Sequence, residues 1–163
     1  MFWCRKKKDF AKAGSEAPGF ELSKLGGGTE SLSAILARGP AVLAFFKISC
    51  PVCQLTFPYL ERIAAGTGLQ IIGISQDDDG ATRAFNERLG VTFETLLDSS
   101  ADGYPTSNGY GITSVPSLFV VEADGKISKS IAGFSKSEME ELGRRAGRAV
   151  FAAGDAVPEW KAG

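Results

Sequence analysis

The stretch from residue 41 to residue 60, AVLAFFKISCPVCQLTFPYL, constrains the fold more than any other part of the chain. Its first six residues are all apolar, as in a strand that is buried on both faces of a sheet. A Cys-Pro-Val-Cys sequence follows at residues 50–53, and proline is favoured in the first turn of a helix. The sequence therefore predicts a buried strand, a short turn and a helix that begins at the first cysteine.

The two cysteines of this turn, Cys50 and Cys53, are candidate redox residues. Cys50 would lie at the helix N-terminus, where unpaired N–H groups and the helix dipole favour a thiolate over a thiol. Cys53 follows closely enough to form a disulfide with it, so one thiolate can attack a foreign disulfide and the other can resolve the mixed disulfide. Buried cysteines can also be simple packing residues, but their position between a strand and a helix favours redox chemistry.

Composition excludes several other kinds of function. The chain has 163 residues, enough for one domain with a substantial core, and a net charge of −1 that gives no reason to expect nucleic acid as a partner. It has three cysteines and no histidine. Ser–His–Asp catalysis is therefore excluded and a closed zinc site is hard to build. We expect no cofactor, no metal and, because no apolar run is long enough, no integral membrane span.

The two ends of the chain are predicted to lie outside the folded domain. We expect a flexible N-terminal arm at residues 1–16, a domain at 17–153 and an unstructured C-terminal tail at 154–163. The arm has Cys4 and a basic cluster, Lys6 to Lys8, but no apolar segment that would complete a signal peptide. The protein is therefore predicted to be cytoplasmic as written, or periplasmic or membrane-tethered if a leader has been removed. We also predict that it is a monomer.

Strands alternate with helices along the domain and a hairpin follows, which predicts a three-layer α/β/α sandwich around a mixed sheet. The predicted strands are 20–25, 41–46, 69–75, 93–97, 117–121 and 126–131, and the predicted helices are 31–37, 51–66, 80–89 and 135–152. Ser31 or Ser33 would cap the first helix, and Ser135 or Ser137 the last. The run Asp77 to Asp79 is either a metal site or, as we favour, the cap and first turn of the third helix.

Three phrases of the sequence resemble a known family. They are FFKISCPVCQLTFPYL at 45–60, GVTFETLLD at 90–98 and YGITSVPSLFVVEADGKI at 110–127. In this order and spacing they resemble the TlpA/ResA-like thiol-disulfide oxidoreductases of the thioredoxin-like fold, within the AhpC/TSA-redoxin superfamily. The resemblance covers roughly residues 17–150. It implies exchange of electrons with protein or small-molecule disulfides, and an electron-donor thiol system as a second partner.

The resemblance also implies roles for particular residues. Cys50 would be the exposed nucleophile and Cys53 the resolving thiol. The Val115–Pro116 bond would be a cis peptide, which is a rare and deliberate geometry. Pro116 and the Val115 backbone would form a ledge on which an extended substrate peptide pairs, with Pro51 and Val52 as further substrate contacts. The alternative for Pro116 is an ordinary proline at the start of a strand.

The sequence departs from the family pattern at several positions around the dithiol. Ser49 replaces the usual aromatic residue before the first cysteine. Ala44 stands where thioredoxin has a buried acid, and Thr56 stands where ResA-like proteins have a glutamate. No obvious carboxylate base therefore serves Cys53. Lys47 is a candidate thiolate stabiliser, or else it is solvated at the end of its strand.

Two other functions remain open from the sequence. A peroxiredoxin-like thiol peroxidase uses a related fold, but its Pro-x-x-x-Thr-x-x-Cys phrase would place proline and threonine at Leu43 and Lys47. A redox-gated binding module without turnover would use the disulfide state to alter the surface at Val115 and Pro116. Catalytic turnover with a disulfide substrate distinguishes the oxidoreductase from the binding module. Consumption of peroxide distinguishes the peroxidase.

Overall fold

The structure is a computed structural model that describes residues 8–163. Cys4, Lys6 and Lys7 lie outside the described residues, and Lys8 is exposed. The predictions for the basic cluster and for Cys4 therefore stay predictions.

A mixed sheet of seven strands forms the centre of the molecule, in the order β2-β1-β5-β4-β3-β6-β7. The strands are β1 (Glu21–Lys24), β2 (Thr29–Ser31), β3 (Ala41–Phe46), β4 (Gln70–Ser75), β5 (Thr95–Leu97), β6 (Ser117–Val121) and β7 (Ile127–Ala132). The three central strands β3, β4 and β5 run parallel, and β6 and β7 continue the sheet as an antiparallel hairpin. All six predicted strands are present, and β2 is an addition.

The side chains of β3 alternate between two hydrophobic cores, one on each face of the sheet. Val42, Ala44 and Phe46 belong to one core, whereas Leu43 and Phe45 belong to the other. Successive side chains of a strand point to opposite faces, so an unbroken apolar run is what a central strand between two layers requires.

Helices cover both faces of the sheet. They are α1 (Leu32–Ala37), α2 (Pro51–Ala64), α3 (Asp79–Leu89), α4 (Pro105–Gly109) and α5 (Lys136–Arg145). Buried residues of α2, α3 and α5 pack into one core, whereas those of α1 and the Tyr110 ring beside α4 pack into the other. The predicted three-layer α/β/α sandwich is confirmed. No helix among residues 8–163 is both long and apolar enough to cross a membrane.

The predicted helix caps are borne out. The side chains of Ser31, Asp78 and Ser135 accept hydrogen bonds from the first turns of α1, α3 and α5. Asp78 therefore caps a helix, and residues 8–163 contain no group of three or more acidic or cysteine side chains that could hold a metal ion. The helical interpretation is confirmed for Asp78 and Asp79, whereas Asp77 lies before the cap and is not part of the helix.

The last helix is shorter than predicted. It ends at Arg145 rather than near Ala152, and Gly147 adopts a positive φ of 70° just beyond it. The chain then folds back against the helix, because a Cβ atom added at Gly143 would lie 2.2 Å from a methyl carbon of Val150. Arg144 and Arg145 lie in the last turn of the helix, whereas Arg148 lies beyond it.

Both terminal segments are more ordered than the sequence predicted. In the N-terminal arm, the amides of Ala11 and Gly14 donate to the carbonyls of Tyr110 and Ile127, at 3.0 and 2.8 Å. In the C-terminal tail, β9 (Trp160–Lys161) pairs antiparallel with β8 (Phe134–Ser135). The prediction of an unstructured tail is wrong at β9, because a strand of two residues leaves no periodic pattern to detect.

Candidate active site

Cys50 lies at the junction of β3 and α2, where the sequence placed it. It is the N-cap residue of α2, and its Sγ accepts a hydrogen bond from the Cys53 backbone amide at 3.1 Å. This hydrogen bond places the sulfur at the N-terminal end of α2, towards which the positive end of the helix dipole points. The Cys50 residue is half-buried, so a substrate can reach it from one side.

The peptide bond between Val115 and Pro116 is cis, as the resemblance implied. This bond lies directly beside the first cysteine, because the Cys50 thiol donates to the Val115 carbonyl oxygen at 3.2 Å. Val115 is half-buried and Pro116 is buried. The structure thus brings together Cys50 and the predicted ledge, although they are separated by 65 positions in the sequence.

Cys53 is fully buried in the first turn of α2. Burial raises the pKa of its thiol well above the ordinary value, and a hydrogen bond with Cys50 raises it further. The negative charge of Asp77 acts in the same direction, whereas a hydrogen bond from the Lys47 backbone opposes the rise in pKa. Cys53 is thus protonated at neutral pH and has no access to solvent. Cys50, in contrast, is partly accessible to solvent and lies at the helix N-terminus.

Two polar side chains hold the loop that leads into the dithiol. An Asp77 carboxylate oxygen accepts the Ile48 amide at 2.8 Å, and the Gln54 side-chain amide donates to the Ile48 carbonyl at 3.0 Å. Asp77 follows β4 and Ile48 follows β3, so the contact joins the carboxyl ends of two adjacent parallel strands. The sequence singled out Asp77 only as part of an acidic run, and it gave no signal for Gln54.

The remaining predicted site residues differ in their exposure. Pro51 is exposed on the first turn of α2, whereas Val52 is only 7% exposed and packs in the core below. The Lys47 residue is exposed, and it is the Lys47 backbone that reaches the second cysteine. A substrate contact at Val52 and a stabilising role for the Lys47 side chain therefore stay predictions.

The two positions where relatives carry a buried acid are filled by uncharged residues. Ala44 and Thr56 are both fully buried, and the Thr56 hydroxyl donates to the Val52 carbonyl at 2.7 Å. Neither can take a proton from Cys53. Among the described residues, Asp77 is the carboxylate whose charge acts on Cys53.

A dithiol at a helix N-terminus, beside a cis-proline loop on a mixed sheet, defines the class of thiol-disulfide oxidoreductases with the thioredoxin fold. Residues 13–130 match the model of the AhpC/TSA family. Since this match covers more than half of the chain, the protein belongs to the AhpC/TSA family.

Individual relatives agree with this class. The chain is 29% identical over 136 residues to the thiol-disulfide oxidoreductase ResA of Geobacillus thermodenitrificans, covering 81% of this chain and 76% of that protein. A solved structure described as a putative thiol:disulfide interchange protein DsbE from Chlorobium tepidum superposes with a TM-score of 0.71 at 25% identity, covering 82% of this chain and 94% of that one. A secreted Mycobacterium tuberculosis disulfide oxidoreductase, described as homologous to Escherichia coli DsbE, gives a TM-score of 0.63 at 27% identity, with 78% and 94% covered.

Proposed function

We propose that this protein exchanges electrons with disulfides through Cys50 as the attacking thiolate and Cys53 as the resolving thiol. The observation that carries the proposal is the asymmetry of the pair. Cys50 caps α2 at a half-exposed position beside the cis peptide bond, whereas Cys53 is fully buried and protonated. An accessible thiolate can attack first, and a buried thiol can react only with a partner already attached to its neighbour.

The proposed reaction has two steps. The Cys50 thiolate attacks one sulfur of the substrate disulfide, forms a mixed disulfide and expels the other sulfur as a thiolate. Cys53 then loses its proton and attacks Cys50, which releases the second substrate thiol. The substrate gains two electrons and two protons and becomes two thiols, while the dithiol becomes a disulfide. An electron-donor thiol system restores the dithiol by the reverse exchange.

The ledge formed by Val115 and Pro116 is proposed to orient the substrate. Its backbone lies within hydrogen-bond distance of the attacking sulfur, so a disulfide held along it would present one sulfur to Cys50. Holding the reacting atoms in contact converts a bimolecular encounter into an effectively intramolecular step. Pro51 is exposed next to Cys50 and would contact the same substrate.

The compartment is a separate part of the proposal. One structural relative is described as secreted, which supports the second of the two predicted locations, a periplasmic or membrane-tethered one. The cytoplasmic location predicted from the bare sequence has no such support.

The test compares two oxidants on the same protein. Reduced wild type, Cys50→Ser and Cys53→Ser are supplied with dithiothreitol and either insulin or hydrogen peroxide. We expect wild type to accelerate insulin reduction, and each single variant to lose that turnover by at least about a hundredfold, because each step of the exchange needs its own sulfur.

Three results would contradict the proposal. Normal turnover by either variant would exclude the dithiol mechanism. Rapid peroxide consumption without insulin reduction would favour a thiol peroxidase instead. Specific binding of a disulfide without any turnover would favour the redox-gated binding module.

A further inference from the structure

The last residues of the described chain lie across the loop that carries the cis peptide bond. The Lys136 amide donates to the Glu159 carbonyl at 2.9 Å, and Trp160 and Lys161 then pair with Ser135 and Phe134. We call residues 159–163 the C-terminal strap. The strap is thus fixed to the edge of the domain by main-chain contacts at its start.

The far end of the strap lies on the predicted substrate ledge. A Cβ atom added at Gly163 would lie 2.1 Å from the Val115 carbonyl oxygen and 3.2 Å from the Pro116 nitrogen. Real Cβ atoms essentially never approach backbone atoms so closely, so the Gly163 backbone must pack directly on this peptide bond. The same Val115 oxygen accepts the Cys50 thiol, which places the strap beside the attacking sulfur.

A second glycine, Gly133 of the domain, also packs closely against the strap, at Lys161. A Cβ atom at Gly133 would lie 2.4 Å from the Lys161 carbonyl oxygen, and the Gly133 amide donates to the Pro116 carbonyl at 2.9 Å. The strap, Gly133 and the cis-proline loop therefore form one continuous layer of backbone. An extended peptide that paired with Val115 would have to occupy the space that Gly163 now fills.

We propose that the C-terminal strap occupies the peptide ledge and so determines the substrate class of the proposed reaction. With the strap seated, Cys50 reacts with small disulfides that need only the exposed side of its sulfur. An extended polypeptide with a disulfide must first displace the strap. This inference rests on the proposed function, since it concerns which disulfides reach Cys50.

The strap is held by contacts of a kind that can open. Two strand residues, the hydrogen bond of the Lys136 amide to Glu159 and one ion pair fasten it, and the pair between Lys136 Nζ and Glu159 Oε1 spans 3.6 Å with the glutamate side chain 84% exposed. Exposed ion pairs contribute little, and segments with few buried contacts open at low free-energy cost. Trp160, at 62% exposure the one large exposed hydrophobic residue among those described, lies on the strap itself. An incoming polypeptide can therefore contact Trp160 as it displaces the strap.

Gly163→Ala tests the proposal without removing any contact of the domain. The added methyl group cannot coexist with the seated strap, whereas Gly154→Ala is a matched control because nothing lies within 4 Å of its added Cβ atom. A second variant lacks residues 159–163 altogether. Hydrogen exchange of the Lys136 amide, which donates to Glu159, reports whether the strap has left its place.

The measurement is the rate of disulfide reduction with two probes, insulin and 2-hydroxyethyl disulfide, under the same thiol donor. When a closed state masks a binding site, the apparent KM rises as the open fraction falls. We expect Gly163→Ala and the shortened variant to lower the KM for insulin about tenfold. Their kcat for insulin and both constants for 2-hydroxyethyl disulfide should stay within about twofold of wild type. Gly154→Ala should match wild type throughout.

Faster Lys136 exchange with an unchanged KM for insulin would overturn the proposal, because the strap would be displaced without effect on the peptide. An equal gain for both probes would also overturn it, since the strap would then shield the sulfur rather than the ledge. If wild type reduces neither probe, the proposed function itself has failed. Wild-type activity alone reveals that outcome, whereas the other two outcomes require comparison of the variants with wild type.

Discussion

Cys50 and Cys53 are three positions apart, but they lie in different surroundings. Cys50 is half-exposed and its sulfur accepts the Cys53 amide, whereas Cys53 is fully buried. Burial disfavours a charged thiolate, and it is the largest reason why the pKa of Cys53 is raised. The difference in reactivity that dithiol exchange needs therefore comes from burial and helix position, although the two side chains are chemically identical.

The raised pKa of Cys53 predicts that resolution of the mixed disulfide is slow at neutral pH. Below its pKa the thiolate fraction of a thiol grows tenfold with each pH unit. We therefore expect the resolution rate to rise by about tenfold per unit between pH 6 and 9. Stopped-flow mixing of a preformed Cys50 mixed disulfide measures this rate. A rate that is flat across the range would mean that Cys53 is already ionised in the mixed disulfide.

Asp77 gives a second prediction, because its charge raises the pKa of Cys53 while its oxygen holds the Ile48 amide. Asp77→Asn removes the charge and keeps an oxygen that can accept the same amide. We expect resolution to become about two- to threefold faster at each pH, with the profile displaced towards lower pH.

Asp79→Asn is the control for Asp77→Asn, since it removes an equal charge from an exposed residue paired with Arg83. It should leave the resolution rate unchanged. Slower resolution in Asp77→Asn would instead identify the Asp77 carboxylate as a base that accepts the Cys53 proton.

The residues of the dithiol could be predicted from the sequence because their signal is local. Cys50, Pro51 and Cys53 lie within a single turn, and Pro116 lies in a phrase that the family shares. The contact of Asp77 with Ile48 could not be predicted, because it depends on which strand lies next to β3. Gly163 was missed for a related reason, since its close approach to Val115 joins two distant parts of the chain.

At the scale of elements, helix α2 is held to the sheet by a cluster of aromatic rings. Phe57 is fully buried, and its ring centroid lies 4.3 Å from that of Phe46 and 5.6 Å from that of Phe85. Phe46 ends β3 and Phe57 lies one turn after Cys53, so the cluster fixes the helix that carries the dithiol. Aromatic pairs of this kind stabilise a core beyond the area they bury.

Phe57→Ala should therefore destabilise the protein by about 3–5 kcal/mol, the cost of removing a large buried side chain and leaving a cavity. Phe57→Leu, which keeps most of the volume, should cost less than about 1.5 kcal/mol. Urea unfolding of the reduced protein measures both. A cost below about 1 kcal/mol for Phe57→Ala would show that the cluster does not hold α2.

The elements differ in how well the sequence predicts them. Strand β3 was predicted with its exact limits because its apolar run is bounded by Gly39-Pro40 and Lys47. The end of α5 was placed seven residues too late, since Arg148 and the apolar residues around it resemble a further helical turn and only the packing of Val150 on Gly143 shows the reversal. Helix ends without a proline or a distinct cap depend on tertiary contacts.

At the scale of the whole molecule, both ends of the described chain are bound to the domain. The Phe10 ring lies 5.1 Å from that of Phe119 on one face of the sheet, and β9 pairs with β8 next to the cis-proline loop. These contacts use backbone atoms and single side chains, so they left no periodic pattern in the sequence. The limits of 17–153 for the folded domain stay a prediction.

The central claim is that Cys50 attacks and Cys53 resolves, and trapping the mixed disulfide tests it most directly. Cys53→Ser and Cys50→Ser, each with Cys4→Ser so that one reactive sulfur remains, are mixed with oxidised glutathione at neutral pH and analysed by mass spectrometry. We predict rapid addition of one glutathionyl group to Cys50 in the first variant, and addition to Cys53 in the second that is slower by at least about a hundredfold. Equal rates, or faster addition to Cys53, would contradict the assignment.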